Sequence, residues 1–136
     1  DLTIKSDVAY RLKEIAGDAL ELNVTFESNA AKQFGIQVYC DDQGKNGAPI
    51  VVDPANKTLR LGETVAPFEL HAGEDLELRV FIDKNMIEVF ANDRQALVAS
   101  HNYASGNLGV SLFSTGGDVL VPQVRSWKMK SIYVGQ

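Results

Sequence analysis

Arg79, Asp83 and Glu88 are the residues whose types and spacing best lend themselves to chemistry. Arg79 and Asp83 lie in the run Leu76 to Asp83, Glu88 lies in the run Met86 to Ala91, and only Lys84-Asn85 separates the two. Paired through a two-residue loop, with Asn85 taking the positive φ that such turns require, the runs set Asp83 opposite Met86, Phe81 opposite Glu88 and Arg79 opposite Phe90. Leu78, Val80 and Ile82 then share the core face with Ile87, Val89 and Ala91, because side chains alternate along a strand. Arg79 and Glu88 become diagonal neighbours on the opposite face, about 7–8 Å apart at the backbone. A guanidinium that donates in a fixed fork, beside a carboxylate that accepts, can clamp vicinal hydroxyls. The same two side chains can instead form a cross-strand ion pair that stabilises the face by roughly 0.2–1 kcal/mol. Asp83 can point at the same ligand or serve as the turn residue before the loop.

Four more positions could contribute. A second hairpin through Asn92-Asp93-Arg94-Gln95 sets Phe90 opposite Leu97 and Glu88 opposite Ala99, which brings His101 onto the Glu88 face, where it could donate to a hydroxyl. Tyr39 alternates with core-facing Val38 and Cys40, so its ring is expected on the outer surface. Tyr103 and Trp127 are further aromatics able to stack on a ligand, although partial burial with a satisfied polar tip is the commoner fate of such rings. Trp127 reads more as core or interface. Phe81 and Phe90 make the outer face unusually apolar for plain solvent exposure, as a ligand platform or an interface would be. Cys40 reads as a small buried hydrophobe, and Asp41-Asp42-Gln43-Gly44 as a turn that lacks the spacing and distal Glu of a calcium loop.

The elements that must position these residues are strands. Leu20, Leu22, Val24 and Phe26 alternate with polar residues, as do Phe34, Ile36, Val38 and Cys40, and Leu108, Val110 and Leu112. Turn residues bound each run, notably Asp53-Pro54-Ala55-Asn56 and Ser114 to Asp118. Helical periodicity is nearly absent; the one stretch that could hold a helical turn is Tyr10 to Ala16. About ten short strands with turns between them predict an all-β fold: a two-sheet antiparallel β-sandwich of jelly-roll or concanavalin-like type, in one domain over residues 1–136.

Composition narrows the function. Eighteen acidic residues against thirteen basic ones give a formal charge of −5, which is no footprint for a phosphate-backbone binder. No apolar run approaches the roughly 18 residues that span a bilayer. The single cysteine, Cys40, excludes an internal disulfide and a Cys-pair zinc site, and two histidines leave little room for a metal centre. No cofactor, nucleic acid or membrane is therefore expected. The chain opens on Asp1 rather than Met, as expected of a processed product or an excised domain.

The stretch Leu78-Arg79-Val80-Phe81-Ile82-Asp83-Lys84-Asn85-Met86-Ile87-Glu88-Val89-Phe90-Ala91-Asn92-Asp93 resembles the signature hairpin of the C-terminal β-sandwich in glycoside hydrolase family 32, the invertases, inulinases and levanases. Ser100 and Tyr103 fit the continuation of that pattern, and Trp127 to Tyr133 looks like its last strand. The fructan-binding family 66 carbohydrate-binding modules share this sandwich. The chain departs from the pattern at loop ends: Asn85 stands where Ser is frequent, Arg94 where Gly is frequent, and His101-Asn102-Tyr103-Ala104 replaces Arg-x-[FY]-Pro.

The resemblance implies an accessory module rather than an enzyme. The family's catalytic carboxylates lie in N-D-P-N-G, R-D-P and E-C motifs of a separate propeller; here the one Asp-Pro, Asp53-Pro54, follows Val52, and no Glu precedes Cys40. A retaining glycosidase needs two carboxylates about 5–5.5 Å apart across a pocket. What the resemblance implies is a non-catalytic module of a secreted or periplasmic β-fructosidase that binds terminal fructose units of levan or inulin-type chains. Arg79, Glu88, Asp83, Tyr39, Tyr103 and His101 would be its carbohydrate ligands, and the catalytic propeller of the same polypeptide its partner. Two other readings stand beside it: a purely structural sandwich that packs on the propeller, and a lectin-like module for another glycan.

Overall fold

The computed structural model describes residues 1–128, and among them every regular element is a β-strand. Thirteen strands form where about ten were expected, two of them only three residues long. One sheet has five strands in the order β10 (Gln95–Ser100), β9 (Met86–Ala91), β8 (Leu76–Asp83), β3 (Ala19–Phe26) and β13 (Gln123–Lys128). The other has six: β2 (Tyr10–Ala16), β11 (Gly109–Thr115), β4 (Gln33–Cys40), β5 (Ala48–Asp53), β6 (Thr58–Leu61) and β7 (Thr64–Pro67). A two-stranded ribbon, β1 (Leu2–Ile4) with β12 (Val119–Val121), completes the set, and all pairings are antiparallel. Tyr10 to Ala16 is thus an edge strand, with no helical turn. The expected last strand is present as far as Lys128; residues 129–133 lie outside the described residues.

Alternation builds the core. Leu20, Leu22, Val24 and Phe26 on β3, with Leu76, Leu78, Val80 and Ile82 on β8, face Ile36, Val38, Ile50, Val52, Leu59 and Leu61 of the other sheet, all of them buried. Phe26 and Phe34 join the layers, their rings 5.5 Å apart and tilted. Each such side chain contributes about 1.5–3 kcal/mol when fully buried. β4 and β5 approach so closely that a Cβ on Gly35 would lie 1.9 Å from the Ile50 carbonyl oxygen, so only glycine fits there.

The β8–β9 hairpin has the expected register: Asp83 opposite Met86, Phe81 opposite Glu88, Arg79 opposite Phe90. Its turn differs in one detail, since Lys84 rather than Asn85 takes the positive φ, at 55°. The next hairpin is displaced by one residue from the expected pairing. Ala96 lies opposite Phe90 and Val98 opposite Glu88, because the loop has three residues, Asn92 to Arg94, with Asn92 and Asp93 both left-handed. Leu97 therefore turns into the core opposite Val89, and His101 belongs to the Leu97 face, not the Glu88 face.

Candidate functional site

The residues singled out in the sequence divide between two places. Arg79, Glu88 and Asp83 lie on the outer face of the five-stranded sheet, whereas Tyr39, Tyr103 and His101 gather at one end of the sandwich.

On the outer face, the strand registers line up Trp127 with Glu21, Glu21 with Phe81, Phe81 with Glu88, and Glu88 with Val98. Trp127 is 47% exposed, so it is neither core nor covered within the described residues. Met86 and Val98 are also exposed, on β9 and β10 toward the opposite edge of the same sheet. Phe81 and Phe90 are half-buried and meet edge to face, with centroids 5.8 Å apart. Arg79 does not pair with Glu88. Its guanidinium lies over both rings, 5.5 Å from the Phe81 centroid and 5.8 Å from that of Phe90, and its ion-pair partner is Asp93 at 3.5 Å. The aromatic surface beneath draws the guanidinium toward Phe90, away from the diagonal carboxylate. Glu88 and Glu21 keep their carboxylates out of the ion pairs and hydrogen bonds of the described residues, and Asp83 is exposed at the strand end.

At the sandwich end Tyr39 is only 1% exposed, contrary to its parity in the sequence. The β4–β11 ladder slips between Gly109, opposite Cys40, and Val110, opposite Val38, which leaves Tyr39 as a bulged residue with φ 56°. A bulge reverses alternation, and the ring turns inward. There it stacks on Tyr103 at 4.1 Å and on His101 at 5.9 Å. Its hydroxyl donates to the Lys84 carbonyl, and burial pushes its pKa far up. Tyr103 donates to Asp18 Oδ2 at 2.9 Å, and Lys84 Nζ lies 3.1 Å from the same oxygen. These partners, Tyr103 first, hold the Asp18 carboxyl below its ordinary range. Among the described residues the tips of Tyr39, Tyr103, Asp18 and Lys84 are thus all engaged inside the protein.

Residues 2–128 match the family model of the glycosyl hydrolases family 32 C terminal. The chain belongs to that family. The family model describes the C-terminal part of the family 32 glycosyl hydrolases. The chain is 25% identical to a levanase from Bacillus subtilis (strain 168) over 98% of its own length and 22% of the levanase. Its fold superposes on a fructosyltransferase from A. japonicus with a TM-score of 0.78, at 18% identity, covering 94% of this chain and 25% of that one. The carbohydrate binding module CBM66 from Bacillus subtilis superposes at 0.72 and 12% identity, covering 91% of this chain and 84% of the module. The chain therefore spans about a quarter of the levanase and the fructosyltransferase but most of the binding module.

Three residues of the family 32 domain carry more weight than the sequence indicated. Asp18 and Glu21 gave no signal of their own, since Asp18 finds its partners 66 and 85 positions away. Only the pairing of β3 with β8 brings Glu21 beside Phe81. Arg94, where the family often has Gly, donates from Nη2 to Glu74 Oε1 at 2.9 Å and to the Glu69 carbonyl at 2.6 Å, with its guanidinium 5.4 Å from the Phe68 ring centroid. It ties the 68–75 loop to the β9–β10 turn.

Proposed function

We propose that this family 32 domain is the accessory module of a β-fructosidase and binds fructan chains of levan or inulin type on the outer face of its five-stranded sheet. The observation that carries the reading is the row Trp127, Glu21, Phe81 and Glu88, in which aromatic rings alternate with unengaged carboxylates. Adjacent strands are about 4.8 Å apart, so the row extends about 14 Å, enough for more than one sugar ring. Apolar C–H faces of the sugar pack on the rings, and its hydroxyls donate to Glu21 and Glu88. A neutral polysaccharide suits a face that carries both carboxylates and the Arg79 cation. The likeness to the levanase and to the binding module supports the same ligand class. As part of such an enzyme the module acts outside the cell or in the periplasm.

A second reading has its own observation. Met86, Val98 and Trp127 are exposed around half-buried Phe81 and Phe90, and an apolar patch of this kind also suits packing against the catalytic propeller of the same polypeptide. Affinity electrophoresis of the chain through gels containing levan or inulin separates the two. Retention of the wild type, weakened several-fold by Trp127→Ala and by Glu88→Ala, is expected. Unretarded migration in both fructans would sink the binding reading and favour the packing one.

A further inference from the structure

Each of the two main sheets ends in strands with one unpaired side, and among the described residues three of those edges are guarded. β13 carries Arg125 and Lys128. β2 is bulged between Arg11 and Ala16 and carries Lys13 and Glu14. β7 is four residues long and ends in Pro67. Charge, bulges, shortness and proline all keep an exposed edge from pairing with another chain. β10 has none of them: Gln95-Ala96-Leu97-Val98-Ala99-Ser100 is uncharged and in unbroken register with β9.

The hydrogen-bond phase of the β9–β10 ladder decides which groups that edge offers. The His101 N–H donates to the Asn85 carbonyl at 2.7 Å, and bonded pairs alternate along an antiparallel ladder. Leu97 and Ala99 therefore bond to β9, whereas Ala96, Val98 and Ser100 turn their N–H and C=O groups to the open side. Gln95 covers the first of these. Its Oε1 accepts from the Ala96 N–H at 2.9 Å, and its Nε2 donates to the Pro67 carbonyl of β7 at 2.8 Å. Further along, a cleft of about 330 Å³ separates Thr64 of β7 from Ser100. The backbone groups of Val98 and Ser100 are left without partners among the described residues.

From this geometry we infer that β10 pairs with β10 of a second copy of the chain, antiparallel, about a two-fold axis at Ala99. Val98 of each copy then lies opposite Ser100 of the other, and each pair exchanges both of its N–H···O bonds. This register leaves the Gln95 cap in place. A two-fold contact needs a self-complementary patch, and β10 is one in charge as well as in hydrogen bonding. Copies with a formal charge of −5 repel, but this strand brings no charge to its own edge. The Glu88 carboxylates of the two copies sit three strand spacings apart, at least about 14 Å, beyond the screening length of about 8 Å at physiological salt. Apolar surface acts in the same direction. Val98 is 50% exposed, and in this register the two Val98 side chains become diagonal neighbours across the axis. The two five-stranded sheets join into one, with both outer faces on the same side.

Sedimentation velocity of the full 136-residue chain over rising concentration tests the pairing. A weight-average mass that climbs from one chain toward two is expected. Val98→Lys sets a charge on each side of the axis and should weaken association at least tenfold, with the melting temperature of the dilute protein unchanged. Val98→Pro removes an N–H that no contact within the fold uses, and should weaken it as much. Ala99→Cys reports the register, because facing Cα atoms of a non-bonded pair are about 4.5 Å apart, within disulfide reach. Mild oxidation should link two copies of that variant but not of Ser126→Cys on β13. A single-chain mass at every concentration would overturn the inference. So would a dimer that survives either Val98 variant, or one that Ser126→Cys links and Ala99→Cys does not, since another edge or face would then hold the copies together.

Discussion

The ring of Tyr103 lies flat on that of Tyr39, with centroids 4.1 Å apart and planes within 3°. The two hydroxyls reach in different directions, Tyr39 to the carbonyl of Lys84 and Tyr103 to the carboxylate of Asp18. One stacked pair thus fastens the segment after β10, the bulge of β4, the β2–β3 turn and the β8–β9 turn. Removing the ring should be far worse than removing the hydroxyl. Tyr39→Ala is expected to cost about 3–5 kcal/mol, as for other large buried aromatics. Tyr39→Phe keeps the stack and leaves the Lys84 carbonyl without its donor, for about 1 kcal/mol. Urea denaturation of the two variants checks the order, and equal losses would mean that the hydroxyl, not the ring, holds the corner.

Acid should release the Arg94 clamp. Hydrogen bonds from Arg94, and then from the His71 backbone, lower the Glu74 pKa from 4.5 to about 2 in the folded chain. A carboxylate with a depressed folded pKa stabilises fully above its unfolded value and loses that contribution as pH falls through the folded one. The melting temperature of the wild type should therefore exceed that of Glu74→Gln by a constant margin above about pH 5. The margin should close between pH 4.5 and about 2. Differential scanning calorimetry over that range would reveal a gap independent of pH if the carboxylate charge played no part.

How much of this was legible in the sequence depends on how local each cause is. The β8–β9 register follows from alternation on both sides of a two-residue loop, and the structure keeps it. The β9–β10 register does not, because the same residues can close a two- or a three-residue loop. The choice is made from outside the hairpin: the Asn92 side chain accepts from Glu77 N–H at 2.6 Å and donates to the Asp75 carbonyl at 3.0 Å. Tyr39 was misplaced for a similar reason, since its bulge exists only against Gly109 of β11. His101 followed the slipped register onto the wrong face. The parts of the site that local pattern sets were visible; those set by contacts across the sandwich were not.

The close approach of β4 and β5 makes Gly35 irreplaceable. A methyl group there would collide with backbone, the Ile50 carbonyl oxygen at 1.9 Å and its carbon at 3.0 Å, and neither can swing aside as a side-chain tip would. Gly35→Ala is expected to cost about 3 kcal/mol, at the severe end for overpacking. Gly62→Ala, at a turn with nothing within 4 Å of the added carbon, meets only the strain of its positive φ, about 1 kcal/mol. Chemical denaturation should rank the two in that order, and a reversed rank would mean that the sheet accommodates the methyl group by shifting β5.

Arg79 offers a direct measurement of what its charge does. The guanidinium sits over Phe81 and Phe90 and pairs with exposed Asp93, leaving Glu88 out of reach of an ion pair. A double-mutant cycle between Arg79 and Glu88 should therefore give a coupling within about 0.3 kcal/mol of zero. The cycle between Arg79 and Phe90 should give about 0.5–1 kcal/mol, the range of a partly exposed cation over a ring. Glu88→Gln alone should change stability by less than about 0.5 kcal/mol, as a surface change with no partner to lose. That leaves Glu88 free to be judged by ligand binding alone. A strong Arg79–Glu88 coupling would instead make the carboxylate a structural partner, and would remove it from the row of groups available to a sugar.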